Sequence, residues 1–334
     1  MNELSSLGLI LLFALMAGHL VKYLKIPEVT GYILAGIMVG PSVLGWVSHE
    51  NLSALGAFSE VTLGLILFSL GSVFRLEDLK TFGAPVARVT LTESAMAGAL
   101  VAASMLALGQ SWQAALLLGA IATETAAAST LMVIRELNAE GPLTSTLSGV
   151  IGINNLVCLT LFYLVCSALE LSSGLSSGAS IPQTLYVSLF PLVWQLAGSV
   201  ALGYLVGVLL SLWVRRVLEH GELLILLIGC VLLCVGIALV AGLSPMIASL
   251  AFGATMTNIS KHSRRLFETM SRTDPPFYAI FFVIAGADLN LALLKTMGFA
   301  GVAYVVCRGA GKFLGVEIGA RKAGLNLPVQ RSLG

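Results

Sequence analysis

The sequence predicts an all-α protein that crosses a membrane many times, and three observations carry that reading. Of its 334 residues, 57% are apolar and only 10% charged, where an average soluble domain carries about 25% charged. Apolar stretches of roughly the 20 residues a membrane span requires recur along the whole chain, separated by short polar connections. Of the 18 Lys and Arg, 14 fall on one side of the resulting alternation.

Eleven spans are expected, at about 4–24, 27–46, 52–73, 83–107, 111–135, 143–169, 185–214, 222–242, 244–259, 273–291 and 297–320. The second and ninth are short and Gly-rich, and only Gly242, Leu243 and Ser244 separate the eighth from the ninth. MNELSS precedes the first apolar run and contains no basic residue, so an uncleaved first span is expected rather than a secretory signal. With 18 Lys+Arg against 17 Asp+Glu, the chain offers neither a nucleic-acid footprint nor an acidic tail. The five cysteines, Cys158, Cys166, Cys230, Cys234 and Cys307, lie in apolar runs without metal-ligand spacing and read as packing residues.

Basic residues are retained on the cytoplasmic side, which places the N-terminus outside. On that assignment Lys295 is the one basic residue in an outer connection, while Arg88, Arg308 and Lys312 fall inside spans. The exception has a counterpart. Residues 71–83 read GSVFRLEDLKTFG and residues 286–298 read GADLNLALLKTMG, an ungapped match 215 residues apart. Both leave a Phe-rich span, the third and the tenth, so the two copies point in opposite directions. A weaker echo relates PEVTGYILAGIMVG in the second span to SPMIASLAFGATMT in the ninth. Inverted repeats of this kind are typical of secondary transporters that bind substrate near the midplane at discontinuous helices.

IPEVTGYILAGIMVGPSVLG, EVTLGLILFSLGSVFRLEDL and FYAIFFVIAGADLNL together resemble the monovalent cation:proton antiporter-2 family, the Kef-type and related sodium/proton exchangers. The resemblance covers most of the chain. It implies a sodium/proton antiporter fold with inverted-topology repeats, of which 11 spans are visible out of an expected 13. It also implies a homodimer in lipid, residues 1–82 and 222–296 forming the dimerisation scaffold, 83–170 and 297–334 the ion-binding core, and 185–214 a linker helix. The bacterial inner membrane is the expected location, with a C-terminal cytoplasmic regulatory domain or subunit as a further partner; the two spans not visible either follow Gly334 or are missing from an incomplete exchanger. Three positions depart from the family pattern: Asn154 and Asn155 stand where these exchangers usually carry an Asp pair, Asn-Asp or Gln-Asp, and Val73 stands where a Glu is common.

Ionisable groups inside a span are costly unless paired or solvated, and each is a functional candidate. Here they share one depth. Glu93 lies mid-span in the fourth, Glu124 in the fifth, Asn154 and Asn155 in the sixth, and Arg308 and Lys312 in the eleventh. The fifth span reads AIATETAAASTLMV, a weak helix former at the place of the family's broken helix. Unwinding there would free carbonyls for a cation, with Thr123, Glu124, Thr125 and Ser129 adding oxygens. Back-bonding of the hydroxyls to their own helix is the structural alternative. Asn154 and Asn155 can bind a cation but cannot release a proton near neutral pH, which leaves proton coupling to Glu124 or Glu93. The 215-residue offset maps 93 onto 308, so a buried Glu93–Arg308 salt bridge is expected, with Glu124 as the free carboxylate. Asp288, near the outer end of the tenth span, reads equally as a loop-flanking residue or a gate, and Glu317 is expected to pair with Arg321 four residues on.

The function these observations favour is secondary transport, exchanging sodium or potassium for protons by alternating access, with no cofactor and no enzymatic chemistry. The alternative is a transport-deficient or gated membrane module of the same fold with a regulatory or sensory role, which the Asn pair favours.

Overall fold

The computed structural model describes the backbone of residues 3–176, 186, 190–214 and 220–324. Among them every regular element is helical. In chain order these are α1 (Glu3–Tyr23), α2 (Glu28–Val39), α3 (His49–Ala54), α4 (Gly56–Leu70), α5 (Leu76–Ala107), α6 (Trp112–Ala122), α7 (Ala127–Glu136), α8 (Pro142–Ser176), α9 (Ser199–Val214), α10 (His220–Val240), α11 (Pro245–Ile259), α12 (Ser263–Ala287) and α13 (Leu291–Ala323). A 3₁₀ turn, Gly71–Val73, follows α4, and a π-helical turn, Trp194–Gly198, precedes α9.

Among the described residues helices occur in all eleven expected segments, and eight of the segments are long and apolar enough to cross a bilayer on their own. The other three fall short for visible reasons. Helix α2 has 12 residues, about 18 Å at 1.5 Å per residue, against a hydrocarbon core of about 30 Å. Helix α11 has 15 residues, and the first half of α12 carries Arg264, Arg265, Glu268 and Asp274 ahead of Pro275 and Pro276. The seventh segment is described from Phe190; its first residues, 185 and 187–189, lie outside the described residues.

The two LKT stretches also differ from expectation. Rather than connections between spans, they are the first turns of α5 and α13, which begin at Leu76 and Leu291, again 215 residues apart. The expected starts, 83 and 297, mark instead where each long helix is disturbed. In α5, Pro85 removes a backbone donor. In α13, Gly298 takes φ 51° and ψ −138°, a conformation open to glycine but not to residues with a Cβ.

Small residues set the close crossings, as expected where dispersion and backbone approach drive helix association. Helices α5 and α13 pack antiparallel along Gly311, Gly315 and Gly319. A Cβ on these would stand 2.6 Å from Ala97 Cα, 2.6 Å from Glu93 Cα and 2.8 Å from Val89 Cα respectively. The same device is used twice in the other half of the molecule: Gly71 of the 3₁₀ turn meets Gly253 of α11, and Gly286 of α12 meets Gly36 of α2.

Two groups of helices result. Helices α5, α6, α8 and α13 pack on one another, while α1, α2, α4, α9, α10, α11 and α12 form the rest. Helix α7 lies between them, its Ala127, Ala128, Leu131 and Met132 buried in one cluster with Ile66 and Leu70 of α4, Tyr278 and Phe282 of α12, and Ile151 of α8. The described cysteines are all free, and Cys158 and Cys234 are buried.

Candidate ion site at the broken helix

The apolar run 112–136 folds as two half-helices, α6 and α7, with Thr123–Ala126 unwound between them. Each half-helix leaves terminal backbone groups without intrahelical partners, and side chains from three other helices meet them. At the C-terminal end of α6, Arg308 donates through Nε to Ala122 O at 3.2 Å and through a terminal guanidinium nitrogen to Glu124 O at 2.7 Å. Lys312, one turn further along α13, donates to Thr123 O at 3.0 Å. Cations belong there, because the carbonyl end of a helix is its negative pole. On the α7 side of the gap, Thr125 N–H donates to Asn154 Oδ1 at 2.6 Å.

Asn154 therefore bridges the break. Its Nδ2 donates to Thr123 O at 2.8 Å and to Ser94 Oγ on α5 at 3.0 Å, with the side chain fully buried. Asn155 is its opposite: 1% exposed, with both amide atoms lacking a hydrogen-bond partner. The reason is angular. Successive residues on a helix point about 100° apart, so Asn154 reaches the gap while Asn155 follows Ile151, one turn earlier, toward the cluster around α4 and α12.

The charges meet at Glu93, only 3% exposed on α5. Its Oε1 accepts from Lys312 Nζ at 2.5 Å and from Thr125 Oγ1 at 2.7 Å, while Lys312 Nζ also donates to Thr125 Oγ1 at 2.6 Å. The ammonium thus has three donors and three oxygen acceptors, and the hydrogen-bond capacity of the group is filled. The expected Glu93–Arg308 pair does not form. Helices α5 and α13 run antiparallel with Gly315 against Glu93, which brings Lys312, not Arg308, to the level of the carboxylate.

The remaining sequence candidates separate. Thr123 and Ser129 turn their hydroxyls back to Ala120 O at 2.7 Å and Ala126 O at 3.3 Å, so Thr123 enters the site through its carbonyl alone. Glu124, half-buried, lies beside the thiol of Cys158. Asp288 caps the C-terminus of α12, exposed, and contributes to none of these hydrogen bonds. Glu317 pairs with Arg321 at 2.5 Å.

Sequence reasoning missed a second ionic cluster at the far end of α7. Arg135 pairs with Asp274 of α12, which is 3% exposed, and lies 5.9 Å from the Tyr278 ring centre. The adjacent Glu136 accepts the backbone N–H of Glu28 at 3.0 Å, and Glu28 in turn pairs with Lys22 and accepts from Tyr32 Oη at 2.9 Å. An Asp followed by Pro-Pro at the start of the tenth apolar segment was the available signal for Asp274. A cavity of about 840 Å³ opens beside this cluster, lined by Ser72, Arg75, Arg135, Ser148, Ile153 and Thr257 among others. It reaches the residue preceding Asn154.

Helices of membrane-spanning length, one run of them broken, with a buried ion pair and polar oxygens gathered at the break, define an integral membrane protein with a polar centre. The chain belongs to the sodium/hydrogen exchanger family, whose transmembrane model matches residues 8–334. It is 27% identical over 291 residues to an ammonium/H(+) antiporter subunit, AmhT, of Alkalihalophilus pseudofirmus, covering 87% of this chain and 71% of that protein. Two structures of the sodium proton antiporter MjNhaP1 from Methanocaldococcus jannaschii share its fold. Their TM-scores are 0.76 and 0.78 at 17% identity, over 98% and 99% of this chain and 80% of each of theirs. These relatives are ion antiporters, transporters rather than enzymes. The family assignment is to sodium/hydrogen exchangers at large, without the Kef-type division the sequence resembles.

Proposed function

We propose that this protein exchanges a monovalent cation for protons, with Glu93 and Lys312 as the coupled pair at the broken helix. The observation that carries the reading is the ion pair itself. Glu93 and Lys312 together are neutral, and a cation entering among Glu93 Oε1, Thr123 O and Thr125 Oγ1 leaves one uncompensated positive charge in a buried site. Such a charge costs several kcal/mol. Release of a proton from Lys312 restores neutrality, and cation entry is thereby exchanged for proton exit. Asn154 keeps the gap open by holding both of its edges, and Arg308 holds the carbonyls the cation does not use. The missing carboxylate at Asn155 is replaced on this reading by Glu93, supplied from α5.

Sodium, potassium and the ammonium named for the AmhT relative are the candidate cations. The accompanying reading is alternating access in a Kef-type homodimer of the bacterial inner membrane, N-terminus outside, in which α5–α8 and α13 move against the other helices. Packing supports α5, α6, α8 and α13 as one unit, while α7, which shares a buried apolar cluster with α4 and α12 and polar contacts with α2 and α12, is the helix on which the two groups meet. The test is reconstitution in proteoliposomes carrying a pH dye. A cation pulse should move protons in the wild type, and Glu93→Gln and Lys312→Gln should each abolish the signal. A wild-type protein that moves no protons with any of the three cations would favour the gated, transport-deficient module, and exchange that survives Glu93→Gln would show another carboxylate to be the carrier.

A further inference from the structure

Lys312 Nζ lies in a nest of three oxygen acceptors. Its nitrogen sits among a carboxylate oxygen, a hydroxyl and a backbone carbonyl at 2.5, 2.6 and 3.0 Å. These are N–H···O distances to acceptors, with one donor directed at each. A bare hard cation is held differently, by six or more oxygens packed around it without regard to hydrogen positions. Three oxygens are half of such a shell. They are a full complement for a tetrahedral ammonium whose fourth direction, in the lysine, is taken by its own carbon chain.

Resting on the exchange reading above, we propose that the site prefers ammonium and small primary alkylammonium ions over potassium. Potassium and ammonium have nearly the same radius and charge, so size and Coulomb attraction do not separate them. Hydrogen-bond donation does. When Lys312 swings out, ammonium inherits its three acceptors without rearrangement of the break, and methylammonium places its methyl group where the lysine stem had been. Potassium in the same place keeps three oxygens and must recover the rest from water. Thr125 is the discriminating residue: its hydroxyl accepts from the ammonium while donating to Glu93 Oε1 at 2.7 Å, a relay that rewards a donor and does nothing particular for a bare ion.

The experiment is calorimetric binding to the purified full chain in detergent near pH 7, where ammonia cannot short-circuit a membrane gradient and nearly all of it is protonated. Ammonium, methylammonium, potassium and sodium chlorides serve as probes. Ammonium and methylammonium should bind about tenfold more tightly than potassium, the equivalent of one charge-assisted hydrogen bond. Thr125→Val should shrink the ratio to about threefold or less, and Thr125→Ser, which keeps the hydroxyl, should preserve it. Potassium binding as tight as ammonium in the wild type overturns the preference while leaving the exchange reading intact. Ammonium binding without proton exchange in liposomes supports the preference and defeats that reading. Binding of none of the four defeats both.

Discussion

Asn258 and Ser42 make the same pair of hydrogen bonds at places 215 residues apart. The Asn258 side chain donates from Nδ2 to Phe74 O at 2.7 Å and accepts Leu76 N–H on Oδ1 at 2.8 Å. Ser42 Oγ donates to Leu289 O at 2.7 Å and accepts Leu291 N–H at 3.4 Å. Each thus clips the turn that starts one of the two long helices, and each comes from just beyond or at the end of a short helix, α11 or α2. The inverted repeat is therefore preserved in hydrogen bonds where the amino acids making them have diverged.

That symmetry gives a topological prediction. Single cysteines at Lys80 and Lys295, the matched lysines of the two copies, should react with an impermeant maleimide from opposite faces of sealed vesicles. Labelling of both from one face would contradict the inversion.

The pairing at the site is tested by a double-mutant cycle on thermal stability in detergent. Glu93→Gln or Lys312→Gln alone strands a buried charge and should cost about 3–5 kcal/mol. The two together should cost clearly less than the sum. A parallel cycle of Glu93→Gln with Arg308→Gln should come out close to additive, because Arg308 spends its donors on backbone carbonyls.

The neighbouring asparagines should respond oppositely to the same change. Asn154→Leu removes three hydrogen bonds, strands Thr125 N–H and leaves Thr123 O with Lys312 alone, a loss of about 3 kcal/mol or more. Asn155→Leu removes two unpartnered buried atoms and should change stability by less than about 1 kcal/mol in either direction. Equal losses would mean that Asn155 is held by polar partners of its own.

At the other end of α7, Asp274→Asn leaves Arg135 facing a neutral partner and should destabilise the protein by about 3 kcal/mol. Because this cluster ties α7 to α12, hydrogen exchange should rise along 127–136 more than along α5 or α13. A uniform rise would show that the pair contributes to global stability without fixing α7 locally.

Composition and periodicity alone determined the membrane class, the positions of the helical segments and the existence of an inverted repeat, because those follow from how much apolar length a segment carries and how segments resemble one another. The weak helix-forming run around Glu124, together with its match to the family's broken helix, also pointed to the break. The partners were beyond its reach. Glu93, Arg308 and Lys312 share one depth, and the offset of 215 made Arg308 the expected mate of Glu93; the antiparallel crossing at Gly311, Gly315 and Gly319 slides the helices so that Lys312 arrives instead. The contrast between Asn154 and Asn155, identical in type and adjacent in chain, is decided by which side of α8 faces the gap. Asp274 acquires its role only because α12 lies against α7. Depth along a span is a one-dimensional property that sequence encodes directly, whereas rotation about a helix axis and sliding between two helices are set by three-dimensional packing, and those two quantities chose every contact in the site.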